Sequence, residues 1–293
     1  MRILPISERK MIANLLVEGT SIRSISRLTG KSKDTILKLL NDLGTVCAKF
    51  HDARVKNLKP KRLQADEIWS FIGCKEKNAS TSQKADGWGD VWTWVAIDAD
   101  TKLIVSYLVG SRDANSAKEF IADCSSRVVN RLQLTTDALR LYPDAVEDAF
   151  GSDIDYAQLH KIYGAPSEEE QRRYSPSRVI GTDMKTVTGD PDPAHVSTSY
   201  IERQNLSIRM MMRRYTRLTN AFSKKFENHA NSVALYVTYY NFCRVHQTLR
   251  VTPAMQAGLS TSVWDVEHLL GMIPKPVVRA NLVDRAIMRR GLA

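Results

Sequence analysis

Three carboxylates in this 293-residue chain stand where a carboxylate is costly or oddly placed. Asp66 lies inside the apolar run LQADEIW, Asp137 near the end of LQLTTDAL, and Glu202 in SYIERQN. A charge within an apolar strand costs free energy unless it is paired or holds a metal. That sets Asp66 and Asp137 apart from the chain's other acids. Carboxylates converging on one point can hold two divalent cations about 4 Å apart for phosphodiester chemistry. One cation activates the nucleophile and the other stabilises the leaving oxygen.

Each acid also has a plainer reading. Asp66 fits an edge-strand surface acid, and Asp137 fits a cap on the following helix. Ser199-Tyr-Ile-Glu202 fits a capping box, in which Glu202 bonds back to the backbone. Glu67 points to the opposite face from Asp66 in a regular strand, so the two are not expected to share a ligand role. Asp98 and Asp100 fall at a hairpin and read as turn formers. Beyond Glu202, the same predicted helical face carries Arg209 and Arg213, placed to grip phosphates beside a scissile bond. A solvated basic face is the alternative. Arg203, Arg214, Lys224 and Lys225 belong to the same basic segment.

These residues need elements to position them. RLQADEIWSFIGC, WTWVAIDA and KLIVSYLVG read as three strands, the last two joined by a turn at 98–102. DANSAKEFIADCSSRVV reads as a helix and RLQLTTDAL as a short buried strand. Three sequential strands, a crossover helix and a parallel fourth strand begin an RNase H-like fold, an α/β class with a mixed sheet flanked by helices. The segment 142–198 is too long for a simple connection and reads as an insertion with some helix of its own. A helix then carries Glu202, and a second spans roughly 225–245, with Phe226, Ala230, Val233, Val237 and Tyr240 as its apolar stripe. Residues 62–250 make up this catalytic domain, and 251–293 a less regular tail with a basic end.

Ahead of it, SERKMIANLLVEG, SIRSISRLTG and SKDTILKLLNDLG predict three short helices, with Ser7 as first cap and Gly19 as first stop. Ser26, Gly30 and Ile36 match the small residue, turn glycine and buried aliphatic of a helix-turn-helix over 1–48. Its third helix would enter the major groove, with Lys31, Lys33, Thr35 and Lys38 toward phosphates or base edges. A helical bundle used for dimerisation is the alternative. Residues 49–61 read as a basic linker.

Charge supports a nucleic-acid partner. Residues 1–62 hold 14 Lys/Arg against 5 Asp/Glu, and 200–225 hold 7 against 1, whereas 143–198 hold 5 against 11. Basic clusters suit a phosphate backbone because each neutralised phosphate releases counterions; the acidic segment does not. No apolar run is long enough to span a membrane, and the N-terminus lacks a signal-peptide layout, so a cytoplasmic location is expected. The 4 cysteines form no C-x-x-C pair, which argues for reduced thiols and against a zinc knuckle.

Taken in order, the motifs resemble those of DDE transposases of bacterial insertion sequences, and most of all the first-described insertion-sequence family. D-E-x-W at Asp66, Glu67 and Trp69 resembles its first-acid motif, T-D at Thr136 and Asp137 its second, and I-E-R-x-N from Ile201 to Asn205 its third. AFSKKFENH at 221–229 is similar to the segment that follows there. YNFCRVHQTL at 240–249, with Thr252 and Pro253, resembles the closing motif of related transposases and integrases. The resemblance covers roughly 62–255. It implies a metal-dependent enzyme that binds terminal inverted repeats, nicks the element ends and transfers strands into target DNA. Asp66, Asp137 and Glu202 would be catalytic and metal-binding, with two Mg2+ ions as cofactor and Mn2+ as substitute. Double-stranded DNA would be the partner, and a homodimer or higher homo-oligomer the working form. A nuclease or resolvase that cuts without joining, and a DNA-binding repressor, are the alternatives. Two features depart from the family: the long separation of Asp137 from Glu202, and the lack of N-terminal zinc-binding cysteines.

Overall fold

Capping and apolar spacing set the first helices. The computed structural model describes residues 4–164, 179–216 and 219–274. Helix α1 covers Ile6–Val17, α2 Ile22–Thr29 and α3 Lys33–Arg54. The expected cap at Ser7 lies within α1, whose N-cap is Pro5. Ser21 accepts from the Ser24 amide to cap α2, Gly30 ends it at φ 67°, and Ser32 caps α3 through the Thr35 amide. Ser26 Oγ donates to the Lys31 carbonyl at 2.7 Å, which holds the turn.

After these helices the periodicity changes to alternation. Strand β1 spans Arg62–Ile72, β2 Gly89–Asp98 and β3 Ile104–Gly110, with a short helix, α4, at Thr81–Ala85. Helix α5, Ala114–Arg127, crosses to β4, Gln133–Asp137. Then follow α6 at Tyr142–Phe150, β5 at Asp155–Tyr163 and β6 at Val179–Thr188. The chain continues through α7 at Ser199–Met211, α8 at Phe226–Phe242, α9 at Pro253–Gln256 and α10 at Val266–Gly271. The six strands form one mixed sheet in the order β3-β2-β1-β4-β5-β6. β1, β2 and β3 pair antiparallel, β4 lies parallel to both β1 and β5, and β6 returns antiparallel to β5.

Helices cover both faces. Leu63, Ala65, Trp94 and Leu134 pack with Phe120 of α5 and Tyr142 of α6. Ile68, Val95 and Ile97 pack on the other face with Ile201 of α7 and Val237 of α8. The mixed sheet flanked by helices is the architecture expected from the strand pattern.

Three boundaries differ from expectation. In its described residues, segment 142–198 is no separate helical insert: α6 packs in the main core, and β5 and β6 are the fifth and sixth strands of the same sheet. Charged residues within DYAQLHKIY hide its strand character. The SEEE run lies outside the described residues. Second, the predicted linker is not free. α3 runs on to Arg54, His51 and Val55 are fully buried, and Leu58 bonds to the backbone around Arg127. Third, the N-terminal helices do not form a core of their own. Ile12, Ile25, Ile36 and Leu43 share one apolar cluster with Ala234 and Leu235 of α8 and Leu269 of α10. Gly44 makes the α3–α8 approach possible, since a Cβ there would lie 2.4 Å from the Asn231 carbonyl oxygen. Phe226, expected in the stripe of α8, is 47% exposed. The basic end of the tail lies outside the described residues.

Candidate active site

The acids meet because the sheet has a notch. The parallel ladder between β1 and β4 ends at the pair Ala65–Thr136. Asp66 and Asp137 are the next residue on each strand. β1 continues past this point paired with β2, with its other edge bridged to Ser223 only at Ile72 among the described residues, so side chains from both faces reach the gap beyond the end of β4. Asp66, Glu67 and Asp137 each place an oxygen there, all within 4.8 Å of one another.

This corrects the expectation for Glu67. The strand alternates regularly: Asp66 meets α7 on one face, through Asn205, and Glu67 meets α6 on the other, through Tyr142. Past the end of a neighbouring strand, however, opposite faces are no longer separated by backbone. Glu67 is 8% exposed and well partnered. Its Oε1 accepts from Arg112 Nη2 at 2.6 Å and Nε at 2.8 Å, and its Oε2 accepts from the Tyr142 hydroxyl at 3.1 Å.

Asp66 is held from two sides. Its Oδ1 accepts from the Glu67 amide at 2.8 Å, and its Oδ2 accepts from Asn205 Nδ2 at 2.8 Å. Burial, then the charges of Glu67 and Asp137, push its carboxyl up to about 7. Burial and Asp137 also raise Glu67. Such a site holds its acids ionised only when positive charge is close. Asp137 Oδ1 accepts from the Leu139 amide at 3.0 Å, closing a local turn and not capping α6, whose N-cap is Leu141.

Glu202 lines the same cleft of about 990 Å³ as Asp66 and Asp137, from the first turns of α7. Its start is anchored where Gln64 Oε1 accepts from the amides of Tyr200 and Ile201 at 2.9 and 3.1 Å. The capping box does not form: the N-cap is Thr198, and Glu202 accepts instead from the Thr198 hydroxyl and from Lys161 of β5. Glu202 is outside the tight three-acid group. Its charge still bears on Asp66.

No family model matches the chain. The insertion element iso-IS1n protein InsB of Shigella dysenteriae is 24% identical over 179 residues, which is 61% of this chain and 95% of that protein. The chain is similar in sequence to an insertion-element protein. Among solved structures, a piggyBac transposase synaptic complex with hairpin DNA aligns with 97% of this chain and 76% of its own at 10% identity and a TM-score of 0.44. A simian T-cell lymphotropic virus intasome in complex with the PP2A regulatory subunit B56 gamma aligns with 92% and 79% at 17% identity and a TM-score of 0.36.

The basic residues scatter more than their spacing suggested. Arg209 lines the acid cleft. α7 ends at Met211, so Arg213 is not stacked above Arg209 but sits exposed in a 3-10 turn at Arg213–Tyr215. Arg214 turns inward: it is half-buried, donates to Ser223 Oγ at 2.7 Å, and burial pulls its guanidinium down to about 10. It is corrected from the expected DNA-facing group. Arg203, Lys224 and Lys225 are exposed. At the start of α3, Lys33 is exposed and Thr35 half-buried; Lys31 pairs with Glu8 and Lys38 with Asp42. Asp98 accepts from the Asp100 amide and the Thr101 hydroxyl, as a turn former does. Among the described residues no helix is long and apolar enough to cross a membrane.

Sequence reasoning missed Lys161 and Arg112. Both lie on cleft walls built by long-range pairing, and neither sits in a motif. Asn205 was visible as the last residue of I-E-R-x-N, but not its bond to Asp66.

Proposed function

We propose that this chain is a DNA transposase of the DDE type with an RNase H-like catalytic core. The observation that carries the reading is the meeting of Asp66 and Asp137, at the ends of two parallel ladder partners, in a cleft that Glu202 also lines. The donor set fits divalent cations: hard carboxylate oxygens, with Asp66 and Glu67 raised by burial and by neighbouring acids, beside the Asn205 carbonyl oxygen, which is buried without a hydrogen-bond partner among the described residues. Asp66, Asp137 and Glu202 are the residues that would hold two Mg2+ or Mn2+ ions. Such ions activate a water or 3′-hydroxyl and offset charge on the leaving oxygen.

The chain's own residues do the rest. Asn205 orients Asp66. Arg112 neutralises Glu67, which keeps a third buried charge from repelling the phosphodiester. Arg209 and Lys161 add positive charge to the cleft wall and draw phosphate toward the acids. Helices α2 and α3 read the terminal inverted repeats, with Lys33, Thr35 and Lys38 on the DNA side. The protein works on double-stranded DNA as a homodimer or higher homo-oligomer.

The test is incubation of the full chain with its element ends and Mg2+ or Mn2+, with products separated by size. Nicked ends and joined products are expected. Cleavage without joining from a pre-nicked end would make it a nuclease. Binding without cleavage would make it a repressor.

A further inference from the structure

The strand that carries Glu67 places two more side chains on the same face, Trp69 and Phe71. Trp92 of β2 lies directly opposite Trp69 across the ladder. The Phe71 ring is 5.6 Å from that of Trp69 and 5.2 Å from that of Phe222. On this face Trp94 is fully buried against Phe120 of α5 and Tyr142 of α6. Beyond it Trp69, Trp92, Phe71 and Phe222 are all half-buried. Trp92 faces Gly110 on β3, so no side chain of that pair closes over it.

Cations accompany these rings. Arg112 lies 4.7 Å from the centre of the Trp92 ring while its guanidinium holds Glu67. Lys75 lies 5.5 Å from the centre of the Trp69 ring. Lys224 and Lys225 follow Phe222 directly. The track is therefore continuous with the acid cleft: Arg112 lines the cleft and touches the first ring. Partly wet aromatic faces interleaved with cations suit a strand whose bases are unpaired, because bases stack on the rings and phosphates meet the cations. A protein partner would bury the rings equally well but gives no reason for cations at both tryptophans.

We propose that Trp69, Trp92, Phe71 and Phe222 form a stacking platform for unpaired bases of the DNA strand that flanks the scissile bond, with Arg112 and Lys75 serving the adjoining phosphates. The proposal rests on the reading of the chain as a DNA-cutting enzyme. It adds that the enzyme opens the duplex beside the cut and stabilises the opened strand.

The experiment uses the full chain and two end duplexes, one fully paired and one with a few unpaired nucleotides carrying 2-aminopurine beside the cleavage position. The intact protein should prefer the opened duplex and quench the probe. Trp69→Leu and Trp92→Leu keep the site apolar but remove stacking, and should each weaken that preference about fivefold or more. Trp69→Phe should retain most of it. All three should bind the fully paired duplex as the intact chain does and melt at similar temperatures. Leu variants with undiminished preference would overturn the platform, even if paired ends are still bound and cut. Leu variants that alter only the oligomeric state would overturn it in favour of a protein interface. Failure to bind or cut any end DNA would instead defeat the underlying reading.

Discussion

Asn205 donates its amide to Asp66 Oδ2 at 2.8 Å, while its own carbonyl oxygen is buried without a hydrogen-bond partner among the described residues. One end of the side chain thus fixes the first acid, and the other is left for something electropositive. A group that orients a metal-binding carboxylate typically matters by 10- to 100-fold, roughly. Asn205→Ala should lower cleavage by about that factor and weaken Mn2+ binding, with end-DNA affinity unchanged. Cleavage at the rate of the intact chain would remove Asn205 from the site.

Asp66→Asn, Asp137→Asn and Glu202→Gln should each abolish cleavage and joining while DNA binding persists. Glu67→Gln should do less, because its oxygen can still accept from Arg112 and its new amide can donate to the Tyr142 hydroxyl, so that the main loss is charge. Gel assays on one labelled end separate the two classes. An Asp137→Asn protein that nicks normally would refute the assignment of the acids.

The crowded carboxylates couple stability to pH. The folded Asp66 carboxyl is pushed up to about 7 from 3.8, so the folded state binds its proton more tightly than the unfolded chain does. Stability from this group is full below the unfolded value and is lost as pH rises from about 4 through 7. Without metal, the melting temperature should carry a falling contribution over that window, and Asp66→Asn should remove it. Mg2+ should raise the melting temperature more at pH 8 than at pH 5. Equal Mg2+ effects at both values would contradict binding at these acids.

Lys161 Nζ pairs with Glu202, so a cation bound as proposed would compete with Lys161 for that carboxylate. Lys161→Met should therefore tighten Mn2+ binding several-fold while lowering affinity for DNA, whose phosphates lose a positive charge. Calorimetric titration with Mn2+ reads the first and a mobility shift the second. Weaker Mn2+ binding in the variant would show that Lys161 supports the site instead of competing for it.

The N-terminal helices should not survive alone. α3 buries Leu43 and Cys47 in a cluster shared with α8, and Gly44 meets the Asn231 backbone. Gly44→Ala forces that contact apart and should cost about 1–3 kcal/mol, a drop of several degrees in melting temperature. A fragment ending at residue 48 should show little cooperative unfolding by circular dichroism. DNA-binding tests of Lys33→Ala and Lys38→Ala therefore belong in the full chain. A fragment that melts cooperatively would restore the independent domain.

Much of the sheet was legible in the sequence because its signals are local. Alternation marked β1 to β3, helical spacing marked α5, and the crossover between β3 and β4 made the fourth strand parallel to the first. Asp66 and Asp137 stood out because a charge in an apolar run is costly wherever the run ends up. Glu202 was legible as a motif, but its local pattern pointed equally to a capping box. The tertiary structure excluded the capping box, by pairing Glu202 with Lys161 and Thr198. It also decided the place of Glu67, because alternation tells which face a side chain leaves and not where the neighbouring strand stops. Nor does sequence show where an apolar stripe docks. The stripe of α3 fits a free helix-turn-helix as well as one sealed on α8. Arg213 and Arg214 went wrong for a related reason: α7 ends at Met211 without a glycine or proline to mark it. What sequence determined was the candidate acids and most of the elements that carry them. What folding determined was every relation set by long-range pairing, including the end of one ladder that opens the notch.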